Sequence, residues 1–550
     1  MSSDWRQGGK IILGFPGNFA RDRPCVCARF PSVPALVLCA FLVLGLNSKG
    51  HPLPSSAVSE RFPAAAYADA VLAVNFEDAK KYFLDALLEI HAAHTLMLAR
   101  QNIIPSADAA KILDALASFD RTEIRTESYD GSFEDLFFYV QNRLVLICGE
   151  DVAGKMHTAR SRNDIDLTMY RMCLRREILR LTSETSAVRR VLLDLASANI
   201  ETIIPAYTHT QPAQPTTLAH YLLAAVEFLG RDEVRLRSAF ATINRNPLGS
   251  CAITTTGFPI DRQFTSELLG FEALQTNSYG AIGAIDYVTE SAGVIAVLMI
   301  NLGKLVQDLL LWCTEEFGFL RLSDAYVQGS SIMPQKRNPV ALEHCRILAS
   351  KALGQAQAVL TCVHNTPFGD IVDSEDDLQP LIFSMSTDAS RALKLFENLM
   401  RGANFNYDRL RLRAAASFLT VTELADTLVR EEKISFVTAH HLVAAAVRAA
   451  GQDQSPGRLV EELEKNASRF IGRDLRTPRD VCIRALDPAH FVVSRKILGG
   501  PAPEAVRDQI ATAQQELSVT LKWIESKRAL FMRYPVLIQE SIDSLERASR

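Results

Sequence analysis

Residues 162–200 read "RNDIDLTMYRMCLRREILRLTSETSAVRRVLLDLASANI", and this stretch decides the fold class. Its apolar side chains recur three and four positions apart and mark one face: Leu167, Tyr170, Leu174, Ile178, Leu181, Val188, Leu192 and Leu195. This spacing predicts one long α-helix, about 55 Å from end to end at about 1.5 Å per residue. Asn163 or Asp164 is the expected N-cap, and Pro205 lies just beyond the other end.

Other stretches repeat this helical pattern. A second long helix is predicted to begin near Thr216–Thr217, and residues 285–313 are apolar almost all round, which is typical of the centre of a bundle. Asn301, Lys304 and Gln307 interrupt this third stretch, so we do not expect it to cross a membrane. No alternating strand series is long enough for a sheet core. The predicted class is all-α, with a central bundle of unusually long helices.

The same patterns divide the chain into five segments. We expect a disordered or targeting leader, an N-terminal helical domain, a central long-helix bundle, a C-terminal helical domain and a C-terminal helical extension, at residues 1–60, 61–157, 158–408, 409–510 and 511–550.

The leader contains a short apolar run at residues 35–46 that follows several arginines. It is too short to span a bilayer and resembles the central region of a signal peptide, although an over-long gene start or a disordered leader explains it equally. Cysteines further along the chain occur singly in apolar helical stretches, as in proteins of a reducing compartment. We therefore predict a cytoplasmic protein, with export through the leader as the minor alternative.

The overall charge and the cysteine spacing argue against several function classes. The net charge is −4, and no basic stripe with interleaved aromatic residues appears, so no nucleic-acid partner is expected. No C-x-x-C or Cys/His spacing typical of a metal site is present, and the close pair Cys25 and Cys27 is a weak candidate. We expect no metal and no membrane partner.

Three polar segments interrupt the helical stretches: "HTARSRND" (157–164), "AYTHTQPAQPTT" (206–217) and "GSSIMPQKRNP" (329–339). Each lies where a long helix begins or has just ended, and the unpaired N–H groups and dipole of a helix start favour anions. Together the segments supply candidate groups for binding a carboxylate or phosphate: Arg160, Arg162, Asn163, Thr208, Lys336 and Asn338. The alternative for the third segment is simple capping of the next helix by Asn338, with a solvated lysine.

His209 lies between threonines in a Pro-rich loop, where a carboxylate such as Glu343 could fix its tautomer. The first and second polar segments lie at opposite ends of the predicted helix, so one chain cannot easily bring both to one small ligand. If they share a site, different subunits supply them. This predicts a homo-oligomer with composite sites.

Several motifs, taken together and in order, resemble the fumarase/aspartase superfamily and its argininosuccinate lyase branch. The third polar segment resembles the superfamily signature, and "HTARSRND", "NPLGSCAITTTGFPIDR" (246–262) and "LADTLVREEKISFVTAHHLV" (424–443) resemble that branch. The second polar segment is also similar to adenylosuccinate lyase. The resemblance covers roughly residues 75–510 and implies a three-domain all-α fold, a homotetramer, and an anti β-elimination that releases fumarate and an amine without a cofactor.

The resemblance also implies roles for individual residues. Ser330 would be the catalytic serine, activated by the amides of its loop and by Lys336, and we favour it as the base. His209, paired with Glu343, would be the other proton-transfer residue. The remaining matched residues would contact the dicarboxylate half of the substrate: Ser161, Arg162, Asn163, Thr208, Ser331 and Asn338, with Arg160 beside them.

The chain departs from this family where the amine half of the substrate should bind. "AVNFEDA" (73–79) lacks the serine of the family, and "PFGDIVDSEDD" (367–377) places Gly369, Ser374 and Asp377 where the family has Tyr, Gln and Lys. An aspartate in place of a lysine would repel a carboxylate. An amine other than arginine is therefore one interpretation, and misalignment of this loop or a non-catalytic homologue are the other two.

Overall fold

The computed structural model describes residues 62–549, so the predicted leader at 1–60, with Cys25 and Cys27, lies outside the described residues. The chain up to the first polar segment forms a helical region in which a π-helical turn, Ala68–Leu72, joins the first two helices. Its helices are α1 (Ala65–Tyr67), α2 (Ala73–Tyr82), α3 (Leu84–Arg100), α4 (Ser106–Ala117), α5 (Arg121–Thr126), α6 (Leu136–Cys148) and α7 (Glu150–Lys155).

Long helices dominate the middle of the chain, and this confirms the all-α prediction. The helices are α8 (Arg162–Ala198), α9 (Leu218–Ile243), α10 (Arg262–Leu268), α11 (Ser278–Gly283), α12 (Asp286–Trp312), α13 (Val340–Cys362) and α14 (Gln379–Arg401). Short strands between them form two-stranded sheets: β1 (Ile203–Thr208) with β2 (Gln211–Thr217), β3 (Arg245–Asn246) with β4 (Ala273–Leu274), β5 (Leu320–Arg321) with β8 (Asn404–Phe405), and β6 (Gln328–Gly329) with β7 (Arg337–Asn338).

The long helices run alternately up and down the bundle. Arg171 of α8 donates to the carbonyl of Thr242 near the end of α9, at 3.0 Å, so α9 returns antiparallel to α8. Arg346, early in α13, donates to Gln307, late in α12, at 2.6 Å, so these two helices are also antiparallel. Tyr221, early in α9, donates to Asp308 of α12 at 2.8 Å. The starts of α9 and α13 therefore lie together, at the end of the bundle where α8 ends.

The C-terminal part adds shorter helices and then a very long one. These are α15 (Tyr407–Ala415), α16 (Val421–Glu432), α17 (Phe436–Ala450), α18 (Pro456–Ile471), α19 (Arg479–Ala485), α20 (Pro488–Val493) and α21 (Pro503–Ser549). Helices α16 to α19 share a separate apolar core that includes Leu428, Leu442 and Leu459. His440 and His441 lie within α17.

Helix α21 continues across the predicted boundary at residues 510 and 511 and packs back along α8. Glu516 pairs with Arg189 of α8, and Tyr534 contacts Arg176 a few turns nearer the start of α8. The two helices are therefore antiparallel, and the extension belongs to the same packed body as the bundle.

The start of α8 corrects one prediction. Ser161, not Asn163 or Asp164, is the N-cap: its hydroxyl accepts from the N–H of Asn163, and Asp164 accepts from the N–H of Ser161. This reciprocal arrangement is a capping box, which satisfies two backbone donors that the helix itself leaves free.

Candidate functional site

The second polar segment forms a β-hairpin rather than the Pro-rich loop expected from its sequence. Strands β1 and β2 pair Thr208 with Gln211, which leaves His209 and Thr210 as a two-residue turn. Both turn residues have positive φ, 51° and 61°, as a type I′ turn requires. His209 is therefore held at an exposed tip at the C-terminal end of α8, with Thr208 exposed beside it.

The third polar segment is a second hairpin at the same end of the bundle. Strands β6 and β7 close its base, and residues 330–336 form its loop. The hydroxyl oxygen of Ser330 accepts from the N–H groups of Ile332, at 3.3 Å, and Met333, at 3.1 Å. Donors of this kind stabilise negative charge on the oxygen, in keeping with the expected activation of this serine by loop amides.

The charged residues of this hairpin have different environments. Arg337 pairs with Asp324 and donates to the carbonyl of Leu322 at 3.0 Å, so it anchors the base of the hairpin. Lys336 and Ser331 are exposed, and no ion pair occupies the Lys336 ammonium group in the described part of the chain. An exposed cation in the same hairpin as the serine suits a carboxylate ligand.

The prediction that Asn338 caps the following helix is wrong. Asn338 is a residue of strand β7, and α13 begins with Pro339 at its N-cap and no side-chain cap. Glu343 is exposed in the first turn of α13. Within this chain no hydrogen bond joins Glu343 to His209, so the expected pair is not formed inside one subunit.

The first polar segment lies at the opposite end of the bundle. Ser161 donates to the amide oxygen of Asn163 at 2.8 Å, and Asn163 donates to the carbonyl of Ala252 at 3.3 Å. Arg162 pairs with Asp135 at 2.6 Å and Glu134 at 3.0 Å. Burial lowers the pKa of Arg162, but these two carboxylates outweigh it and raise that pKa above its ordinary value.

Arg160 points into the protein and is only 6 % exposed. One of its nitrogens donates to the ring of His91, at 3.0 Å, and burial lowers the pKa of Arg160 to about 9. Its burial and its bond to His91 favour a structural role beneath the start of α8 over direct contact with a ligand.

The loop at residues 367–377 also lies at this end of the bundle and is rich in carboxylates. Tyr170 of α8 donates to Asp376 at 2.7 Å, and Glu375 shares a hydrogen bond with Asp370. Burial, that hydrogen bond and the neighbouring negative charge raise the pKa of Glu375 to about 8. Burial and the same carboxylates also raise the pKa of Asp166.

The three positions that depart from the family lie in or next to this loop. Ser374 donates to the carbonyl of Ile371 at 2.9 Å, while Gly369 has open space around it and Asp377 is exposed. Arg162 is the cation whose charge partly offsets the effect of these carboxylates on Asp166, Glu375 and Asp376.

The predicted site residues therefore form two groups separated by the length of α8, whose 37 residues span about 55 Å. Ser161, Arg162 and Asn163 lie at its start, and the two hairpins lie at its end. The sequence analysis missed the role of Asp164, which holds the first group together, although the three-residue spacing from Ser161 is the signature of a capping box.

This geometry fits a known class of proteins. The chain has the fold of an S. mansoni class II fumarase, with a TM-score of 0.60, 16 % identity, and coverage of 73 % of this chain and 89 % of that one. It also resembles an EDDS lyase variant with bound fumarate: the TM-score is 0.78 and the identity 32 %, over 86 % of this chain and 92 % of that one. The protein is a lyase of the fumarase/aspartase superfamily.

Sequence comparison defines the family. A lyase family model matches residues 63–354, and the model of the argininosuccinate lyase C-terminal region matches residues 418–492. "Argininosuccinate lyase 2" of Agrobacterium fabrum is 41 % identical over 467 residues, which cover 84 % of this chain and 93 % of that protein. The chain belongs to the argininosuccinate lyase family and is a fumarate-releasing carbon–nitrogen lyase.

Proposed function

We propose that this enzyme cleaves an N-substituted aspartate of the argininosuccinate type into fumarate and an amine, in the cytoplasm and in arginine biosynthesis. The observation that carries the proposal is Ser330, whose hydroxyl accepts from two loop amides in the hairpin that also contains Lys336. The cytoplasmic location is supported by free cysteines, among them Cys173, Cys345 and Cys482, in the described part of the chain.

The proposed reaction removes a proton from the carbon next to a carboxylate, and the neighbouring C–N bond then breaks. Ser330 takes the carbon proton, and the electron pair of the broken bond stays on the nitrogen of the leaving amine. His209, directly or through a water, supplies the proton that this nitrogen needs. The opposite assignment of base and acid remains the alternative, and kinetic pH profiles of the two variants distinguish them.

Charge stabilisation explains the other residues at this end of the bundle. The carbanion places additional negative charge on the adjacent carboxylate, and donors aimed at that group lower the barrier. Lys336 and the uncapped start of α13 supply positive charge, and Asn338 supplies amide donors. Glu343 would orient His209 from a neighbouring subunit.

A complete site needs more than one subunit, because Ser161, Arg162 and Asn163 lie at the other end of α8. We propose a homotetramer in which different subunits supply the hairpins and the α8 start that together form one site. Exposed apolar residues on the bundle helices support such an assembly, since a second copy would cover them: Val234, Ile300, Leu311, Ile347 and Leu360. Helix α12 is long and apolar enough to cross a membrane, but it packs here between α9 and α13.

A second candidate function follows from the residues that are expected to bind the amine half of the substrate. Carboxylates crowd the loop at residues 367–377, and Asp377 occupies the position of a family lysine. An amine without a carboxylate of its own would fit this loop better than arginine, because two like charges repel. A lyase acting on another N-succinyl amine is therefore the alternative function.

The deciding experiment runs the reaction in reverse, with fumarate and a panel of amines, and follows the loss of fumarate absorbance in the ultraviolet. Arginine and agmatine form a matched pair, because they differ only by the carboxylate. Consumption with arginine supports the argininosuccinate-type substrate, and consumption with agmatine or diamines alone supports the second candidate. If none of the amines leads to consumption of fumarate, and argininosuccinate releases no fumarate, the result would favour a non-catalytic homologue.

A charge-reversal variant makes this test specific. We expect Asp377→Lys to raise the preference for arginine over agmatine about ten-fold, because it converts a repulsion into an attraction. The matched control is Asp373→Lys, which adds the same charge to an exposed position of the same loop. If both variants change the preference for arginine over agmatine equally, the effect is one of general charge and not of a direct contact between residue 377 and the amine.

A further inference from the structure

One buried carboxylate joins the start of α8 to the loop that precedes α10. One oxygen of Asp164 accepts from the N–H of Ser161 at 2.9 Å. The other accepts from the N–H groups of Gly249, at 2.8 Å, and Cys251, at 2.9 Å. The side chain is fully buried, so it cannot touch a ligand.

A second charged side chain also holds this loop. Arg262 donates to the carbonyl of Leu248 at 2.8 Å and, beyond α10, to that of Gln275 at 2.9 Å. Gly249 has a φ of +90°, and a Cβ there would come within 2.7 Å of Arg262. A carboxylate thus binds N–H groups of the loop, and a guanidinium binds a carbonyl of the loop.

The bonds of Asp164 set the position of two proposed substrate contacts. Ser161 is bonded through its N–H, and its hydroxyl donates to Asn163 at 2.8 Å. Asn163 in turn donates to the carbonyl of Ala252, next to the bonded amide of Cys251. A shift of the loop or of the helix start would therefore move both side chains.

We propose that Asp164 is a positioning residue: it fixes Ser161 and Asn163 against the loop at residues 248–252, and the affinity for the dicarboxylate half of the substrate depends on this bridge. The inference rests on the proposed function in one respect, the contact of Ser161 and Asn163 with that half. An amide in place of the carboxylate has a single acceptor oxygen, so at least one of the three N–H groups would lose its partner or face an NH₂ group.

The test compares Asp164→Asn with the wild type in the fumarate-consuming direction. We expect the KM for fumarate to rise about ten-fold or more, with a smaller fall in kcat, because displaced contacts weaken substrate binding first. The matched control is Asp120→Asn, which removes a carboxylate that caps α5 through the N–H groups of Thr122 and Glu123 and should leave KM unchanged. An unchanged KM in Asp164→Asn, with only a lower Tm, would overturn the proposal.

Two further measurements keep the result interpretable. Calorimetric titration of fumarate into Ser330→Ala and Ser330→Ala/Asp164→Asn needs no turnover, so it separates failure of the bridge from failure of the proposed reaction. Equal fumarate affinity in both would refute the bridge. If Asp164→Asn does not fold, Arg262→Lys provides a second test, because it weakens the bond of Arg262 to the carbonyl of Leu248 in the same loop. We expect this variant to raise the KM for fumarate as well, and an unchanged KM would count against the proposal.

Discussion

Ser330, the proposed catalytic base, lies outside any regular element. Its hydroxyl lies in a hairpin loop and accepts two backbone N–H groups, so its removal should affect the proton transfer and little of the fold. We expect Ser330→Ala to lower kcat at least about a hundred-fold, the usual contribution of a positioned acid or base. Fumarate absorbance measures this directly.

A matched serine provides the control for that prediction. Ser350 is exposed on α13 and donates to the carbonyl of Arg346, so Ser350→Ala should keep the wild-type rate. Turnover retained by Ser330→Ala would exclude this residue as the base.

Glu375 should make stability depend on pH. Its pKa in the folded protein is raised to about 8 from an ordinary 4.5, chiefly by burial and then by Asp370. The folded state therefore holds a proton that the unfolded state has lost, and stability decreases as the pH rises from about 4.5 to 8. We expect Glu375→Gln to raise Tm at pH 9 and to change it little at pH 4.5, as measured by thermal melts across the range. A Tm difference that does not grow with pH would contradict this.

At the scale of the element, α21 is a structural part of the bundle. The hydroxyl of Tyr534 donates to Glu89 of α3 at 2.9 Å, and its ring lies against Gly270. The same hydroxyl accepts from Arg176, so Tyr534→Phe removes two bonds to charged groups, and we expect it to destabilise the protein by about 2–3 kcal/mol. The measurement is the Tm, with Met532→Ala as the control, since Met532 is 76 % exposed on the same helix. A Tyr534→Phe melt equal to that of the control would mean that these bonds contribute nothing.

The hairpins show where element prediction from sequence failed. The second polar segment contains two prolines and no alternating apolar pattern, so it was expected to be a loop. Its pairing arises from the contact of β1 and β2 with each other and with the C-terminal region, where Gln214 donates to Thr422 at 3.1 Å. The helices were predictable because their apolar spacing is a clear local signal. The two strands of this hairpin are also neighbours in the sequence, but the prolines in β2 and a turn without glycine hide them.

At the scale of the whole molecule, the composite site predicts complementation between inactive variants. Ser330→Ala and Asn163→Ala affect opposite ends of α8, so mixed oligomers should regain activity at up to about a quarter of the sites if two subunits build each one. The experiment dissociates and reassembles the mixture and then measures fumarate release.

The control for this prediction uses two variants at the same end of one chain. Ser330→Ala and Lys336→Ala lie in the same hairpin, so every site that regains one residue still lacks the other. Complementation in this control as well would mean that the recovered activity has another cause.

The sequence by itself determined the all-α class, the position of α8 and the residue types of an elimination site, because helical periodicity and short motifs act over a few neighbouring residues. Only the tertiary structure decided that Ser330 and Asn163 lie at opposite ends of the bundle. It also decided that Asp164 meets the amides of Gly249 and Cys251. These relations depend on how the antiparallel helices pack against one another. Contacts between residues far apart in the chain produce no periodic pattern, so the sequence alone does not reveal them.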